Sequence, residues 1–227
     1  MARAARSSRF ARFVYFILGV LLLPACVALT VSCIRAIATA ADLRSNLLWF
    51  GCGFVSHLTF FLVLNKPIRT YVIGHELTHA LWVVLLRGRV KRISVGKQSG
   101  SVYATKVSPL IALAPYFFPI YMLIVLGLYA LLRQLRPAYA SRGAMLFAVG
   151  FTWSFHLLLN TWMLAHEQDD VRVGGVLFSY IAIYLLNVVV LGLLLCFVST
   201  SITVESLSTA AWHDLAYAYT LVARPLM

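Results

Sequence analysis

Five consecutive residues, His75-Glu76-Leu77-Thr78-His79, hold most of the chemistry this chain can do. His75 and His79 are four apart, so on a helix their rings project from one face, one turn apart. That spacing lets two imidazole nitrogens reach a single Zn²⁺ at about 2.0–2.1 Å. Glu76 stands beside such a metal without ligating it, placed to take a proton from metal-bound water. Gly74 leaves room for another backbone to approach. A catalytic zinc usually has three protein ligands and a water, and this helix offers no third on the same face. The candidates are His156 and His166, on or just after a later apolar stretch, and Asp169 and Asp170 in His166-Glu167-Gln168-Asp169-Asp170-Val171.

The surroundings of these residues are apolar. Of 227 residues, 62% are hydrophobic and only 11% charged, with a mean hydropathy of +0.88. Soluble domains carry roughly 25% charged residues, so a fully water-facing surface is excluded. An ionisable group in a spanning segment costs roughly 2.5–3.5 kcal/mol on insertion scales. Three within five positions need a compensating partner, and one divalent cation serves all of them.

A spanning helix needs about 20 predominantly apolar residues. Residues 13–34, 47–64, 68–86, 109–132, 143–165 and 174–198 meet that pattern, the fourth interrupted by Pro115 and Pro119. They predict an all-α, multi-pass integral membrane protein with about six transmembrane helices in a single membrane domain over 1–227. Residues 201–223 read as a short surface helix. Between the third and fourth spans, 88–108 changes character. Val90–Val95 and Ser101–Thr105 are β-prone around Gly96-Lys97-Gln98-Ser99-Gly100, which reads as a small β-hairpin, with a basic loop as the alternative. Its basic residues place it at a membrane surface.

Nineteen Lys and Arg against seven Asp and Glu give a net charge of +12. In a soluble protein that excess would point to nucleic acid. Here the basic residues lie between apolar spans, where anionic headgroups explain them. The partner is a lipid bilayer, and nucleic acid is excluded. Arg3, Arg6, Arg9 and Arg12 precede 22 uncharged positions, which reads as a retained transmembrane helix or signal anchor. Counted on alternate sides of six spans, Lys and Arg divide ten against nine, so charge sets no orientation. Cys26, Cys33, Cys52 and Cys196 fall in apolar segments with no C-x-x-C pair and read as small buried thiols. His57, Asn187, His213, Tyr71 and Trp82 read as structural or packing residues.

A membrane-embedded H-E-x-x-H, then a β-prone segment, then an Asp beside glycines resembles the site-2 protease family of intramembrane zinc metallopeptidases. The resemblance covers roughly 68–198. The first motif matches fully. At the second, the family's Asn-Pro-Asp-Gly or Leu-Asp-Gly form is missing, and Gln168-Asp169-Asp170 is similar to a divergent branch with Gln-x-Asp there. The resemblance implies one zinc ion held by His75, His79 and Asp170, with Asp169 as the alternative third ligand and Glu76 as the catalytic base. It implies that Asn160 contacts substrate or the developing oxyanion; by residue type alone, an interhelical hydrogen bond serves equally. The activity it implies is hydrolysis of peptide bonds in membrane-embedded or membrane-proximal protein substrates. The hairpin edge would accept an unwound substrate strand, and Pro115 and Pro119 would loosen the fourth span to admit it. Two readings of other classes stand beside it. A divalent-metal-binding or transport protein would tolerate loss of Glu76. A catalytically inactive member would act as a membrane scaffold, against which stands Glu76 itself, a carboxylate expensive to keep in a bilayer.

Overall fold

A computed structural model describes residues 9–40, 43–166 and 169–223; Arg3, Arg6, Glu167 and Gln168 lie outside the described residues. These hold eight helices: α1 Arg9–Thr39, α2 Leu43–Val63, α3 Ile68–Leu85, α4 Pro109–Phe117, α5 Ile120–Leu135, α6 Arg142–Leu164, α7 Val176–Val198 and α8 Val204–Ala223. A two-stranded antiparallel sheet, β1 Val90–Val95 and β2 Gly100–Ala104, follows α3 in the chain. By internal packing the chain falls into two compact units, one containing 47–173 and the other containing 9–40 and 174–223.

Among the described residues, four helices are long and apolar enough to cross a membrane: α1, α2 (from Ser45), α6 and α7. The pair α4 and α5 makes a fifth if taken as one broken span, bent by 64°. The break lies where the sequence dictates. Pro119 forces the residue before it out of helical geometry, and Phe118 sits at φ −101°, ψ 100°. α3 is not among the four, since Arg69, His75, Glu76 and His79 dilute its hydropathy. Its burial is nonetheless inverted relative to a water-facing helix. Ile73, Leu77, Leu81, Val84 and Leu85 are exposed, while Glu76, Thr78 and His79 are buried.

α3 ends in a double hydrogen bond of the Schellman type. The Gly88 N–H donates to the Val83 carbonyl at 2.7 Å and the Arg87 N–H to that of Val84 at 2.9 Å. Arg87 takes the left-handed conformation at φ 60° that this cap needs. The chain then turns straight into β1. The hairpin closes through Gly96–Ser99, where the Gly96 N–H donates to the Ser99 carbonyl at 2.8 Å. Its register pairs Val95 with Gly100 and Ile93 with Val102. Val102 is buried, so Gly100, two residues earlier, faces the protein as well.

α2 and α6 cross through reciprocal glycines. A Cβ on Gly53 would overlap the Phe147 carbonyl, and one on Gly150 the Phe50 carbonyl. Small residues of this kind let membrane helices approach backbone to backbone. His57 on α2 adds a 3.1 Å hydrogen bond to the Ser154 hydroxyl on α6, among the rings of Phe151 and Phe155.

In the other unit, α1 packs against α7 and α8. α8 is mostly exposed, but it carries one buried anchor. Asp214 accepts from the Ser32 hydroxyl at 2.8 Å and from Arg35 at 2.7 Å. Cys26 and Cys33 are buried and Cys196 is half-buried, but Cys52 is exposed on α2, whose outer side chains face away from the unit; all four are free thiols.

Candidate metal centre

α3 sets His75 and His79 one turn apart, with their Nε2 atoms 3.1 Å from each other. The short 3-10 turn Asp169–Arg172 after α6 brings in Asp170, whose Oδ2 lies 3.2 Å from the first Nε2 and 3.3 Å from the second. Four ligands tetrahedrally disposed at 2.0–2.1 Å stand about 3.3–3.4 Å apart. The three edges match that figure closely. Among the described residues, His75, His79 and Asp170 form the one group of three or more metal-ligating side chains this close together.

The backs of both rings are committed. His79 Nδ1 lies 2.9 Å from the Ile111 carbonyl and donates to it. That carbonyl is available because of Pro115: four residues on, proline has no N–H to give the helix. His75 Nδ1 lies 3.2 Å from the Tyr71 hydroxyl, whose own proton goes to Asn160 Oδ1 at 2.8 Å. His75 Nδ1–H is therefore the donor to the Tyr71 oxygen. With Nδ1 protonated on both rings, each Nε2 presents a lone pair toward the other and toward a carboxylate. Such a cluster is stable only with positive charge at its centre, a proton or a metal ion.

Asp170 supplies the anion. Burial would raise its carboxyl, but the positive charge and hydrogen bonding shared with His75 and His79 outweigh this and hold it below the usual carboxylate range. Its Oδ2 also accepts from the Tyr116 hydroxyl at 3.3 Å. Partners of this kind, behind the donor atoms, orient ligands and fix tautomers.

Asn160 completes the support. Pro119 likewise deprives the Pro115 carbonyl of a helical donor, and the Asn160 amide lies 3.5 Å from it and 3.2 Å from the Tyr116 carbonyl. Broken membrane helices need such polar compensation. Besides interrupting the fourth apolar stretch, the two prolines each free a carbonyl that meets part of the site. Asn160, expected at substrate or an oxyanion, has its carboxamide engaged on both ends and does not line the cavity described next.

A cavity of about 460 Å³ opens over the cluster, lined by His75, Glu76, His79 and Asp170, by Gln98, Ser99 and Gly100 of the hairpin, and by Trp162 and His166 among others. Glu76 is buried to 5% exposure. No family model, curated protein or solved structure matches the chain. The functional reading therefore rests on the residues themselves.

The structure separates the remaining candidates. Asp169, next to Asp170, has a side chain 97% exposed and pairs with Arg172 at 3.9 Å. His156 is buried against Trp153 and Asn160 and does not join the three grouped side chains. His166 is exposed at the cavity wall, its Nδ1 donating to the Trp162 carbonyl at 2.6 Å. Gly74 accommodates the side chain of Tyr121, where a Cβ would meet the ring at 2.5 Å, and not a backbone. Tyr71 extends the sequence reading. Its ring packs with Val72, Phe155 and Leu159 as expected, but its hydroxyl also stands behind His75, and its place four residues before His75 was a readable signal.

Proposed function

We propose that this chain is an intramembrane zinc metalloprotease of the site-2 protease type, and that it hydrolyses peptide bonds of membrane-embedded or membrane-proximal protein substrates. The observation that carries the reading is the His75–His79–Asp170 triangle, with edges of 3.1, 3.2 and 3.3 Å and Glu76 on the same cavity. α3 would be a sixth crossing, its apolar face toward lipid and its ionisable face toward the cavity. The exposed Ile73, Leu77, Leu81 and Val84 support that placement.

His75 Nε2, His79 Nε2 and Asp170 Oδ2 are the atoms that would hold the ion. A bound zinc supplies a polarised carbonyl and a water acidified to a pKa of about 7. The chain's own residues do the rest. Tyr71 and the Ile111 carbonyl keep both imidazoles in the Nδ1-protonated tautomer. Glu76 takes a proton from the attacking water on its carboxylate and returns it to the leaving amine nitrogen. The hairpin wall of the cavity offers backbone to an unwound substrate, which must shed its own helical hydrogen bonds before attack.

The test is Glu76→Gln in detergent-purified protein, assayed for zinc content and for cleavage of a substrate carrying a transmembrane segment. Cleavage should vanish while stoichiometric zinc remains. Cleavage that survives the substitution sinks the protease reading. Zinc flux into proteoliposomes that survives it favours a metal carrier using the same three ligands.

A further inference from the structure

Gly100 opens β2 directly against Glu76. A Cβ built on it would lie 2.5 Å from Glu76 Cγ, 2.7 Å from Oε1 and 2.8 Å from Cδ. All three of the nearest atoms belong to that one side chain, from its middle to its tip. The hairpin register makes this contact specific. With Val95 opposite Gly100 and Ile93 opposite Val102, the inward face meets α3 with the buried Val102 at one point and a bare backbone at the other. Gln98, Ser99 and Gly100 together form the cavity wall over Glu76.

We propose that Gly100 is a positioning residue for Glu76: the hairpin, through its side-chain-free first residue on β2, fixes where the carboxylate stands over the metal cluster. This rests on the protease reading for its catalytic consequence but not for its mechanical one. A glutamate has three rotatable side-chain bonds, of which the helix restricts chiefly the first. The backbone of Gly100 closes one side of its range. Any larger residue there must push the carboxylate aside or lift the hairpin. Hairpin docking and carboxylate placement are thereby a single variable, so whatever engages the hairpin also acts on Glu76.

The experiment compares Gly100→Ala, Glu76→Ala and the double variant in full-length protein in detergent. Three readouts are taken: zinc stoichiometry, amide hydrogen exchange across 90–104, and steady-state cleavage. Gly100→Ala should keep zinc, since none of the three ligand side chains is touched. It should lose kcat by about 10²-fold, the scale of a misplaced catalytic group, with KM little changed. Exchange over the hairpin should accelerate in Gly100→Ala and return to the wild-type rate in the double variant, because Glu76→Ala removes the three atoms nearest the new Cβ. Wild-type kcat and exchange in Gly100→Ala overturn the proposal. So does a double variant whose hairpin stays as open as that of Gly100→Ala. If the wild-type chain cleaves nothing, the protease reading falls by itself, and the exchange cycle alone decides whether Gly100 and Glu76 are coupled.

Discussion

Two buried aspartates, one in each compact unit, differ in the groups that neutralise them. Asp214 has a side chain 8% exposed and meets a permanent cation, Arg35 at 2.7 Å, along with the Ser32 hydroxyl. Asp170 is 11% exposed and meets two imidazoles at 3.2 and 3.3 Å and the Tyr116 hydroxyl. The first is neutralised by its own neighbours, whatever the solution contains. The second faces groups that carry no fixed charge and whose remaining nitrogens are already occupied. Burial is shared, so burial does not mark the site. The kind of counter-group does.

The sharpest way to break this contrast is Asp170→Ala. Zinc affinity, measured by chelator competition, should fall by more than the roughly 10–100-fold that loss of a supporting partner costs, while Asp169→Ala leaves it unchanged. Equal losses from the two substitutions would dissolve the distinction between the neighbours. Tyr71→Phe comes next. It removes the oxygen that receives His75 Nδ1–H, and affinity should drop roughly 10–100-fold with the ligand set intact. Pro115→Ala should have a smaller effect in the same direction, because the restored N–H competes with His79 for the Ile111 carbonyl without displacing it outright; a carbonyl has two lone pairs. Asp214→Asn should leave zinc affinity untouched and cost about 1–3 kcal/mol in denaturant unfolding, the order expected when a buried charged hydrogen bond is lost. Weakened zinc binding in that variant would mean the two carboxylates are not independent.

How much of this was legible depends on the range of the forces involved. The face shared by His75 and His79 follows from helical periodicity, and the strands of the hairpin from β-branched residues around a glycine-rich turn. The break between α4 and α5 follows from Pro119. These are local effects. The choice of Asp170 over Asp169 is not. The two are adjacent in the same acidic run, and only the turn that carries them points one inward and the other into solvent. Tyr116 and the Ile111 carbonyl were out of reach for the same reason, since their roles exist only once α4 lies against α3. Pro115 could have been read further: a proline within a helix leaves a carbonyl wanting a donor four residues earlier. The association of α1 with α7 joins segments at opposite ends of the chain, with no pattern in either to announce it.

The paired glycines where α2 crosses α6 carry a consequence of another kind. Because each backbone occupies the volume that the other's side chain would need, neither Gly53 nor Gly150 admits even a methyl group. A saturation library screened for folded protein should therefore show its deepest intolerance at these two uncharged, chemically inert positions. Most of the outward lipophilic surface of α2, only a few ångströms away, should accept almost any greasy replacement.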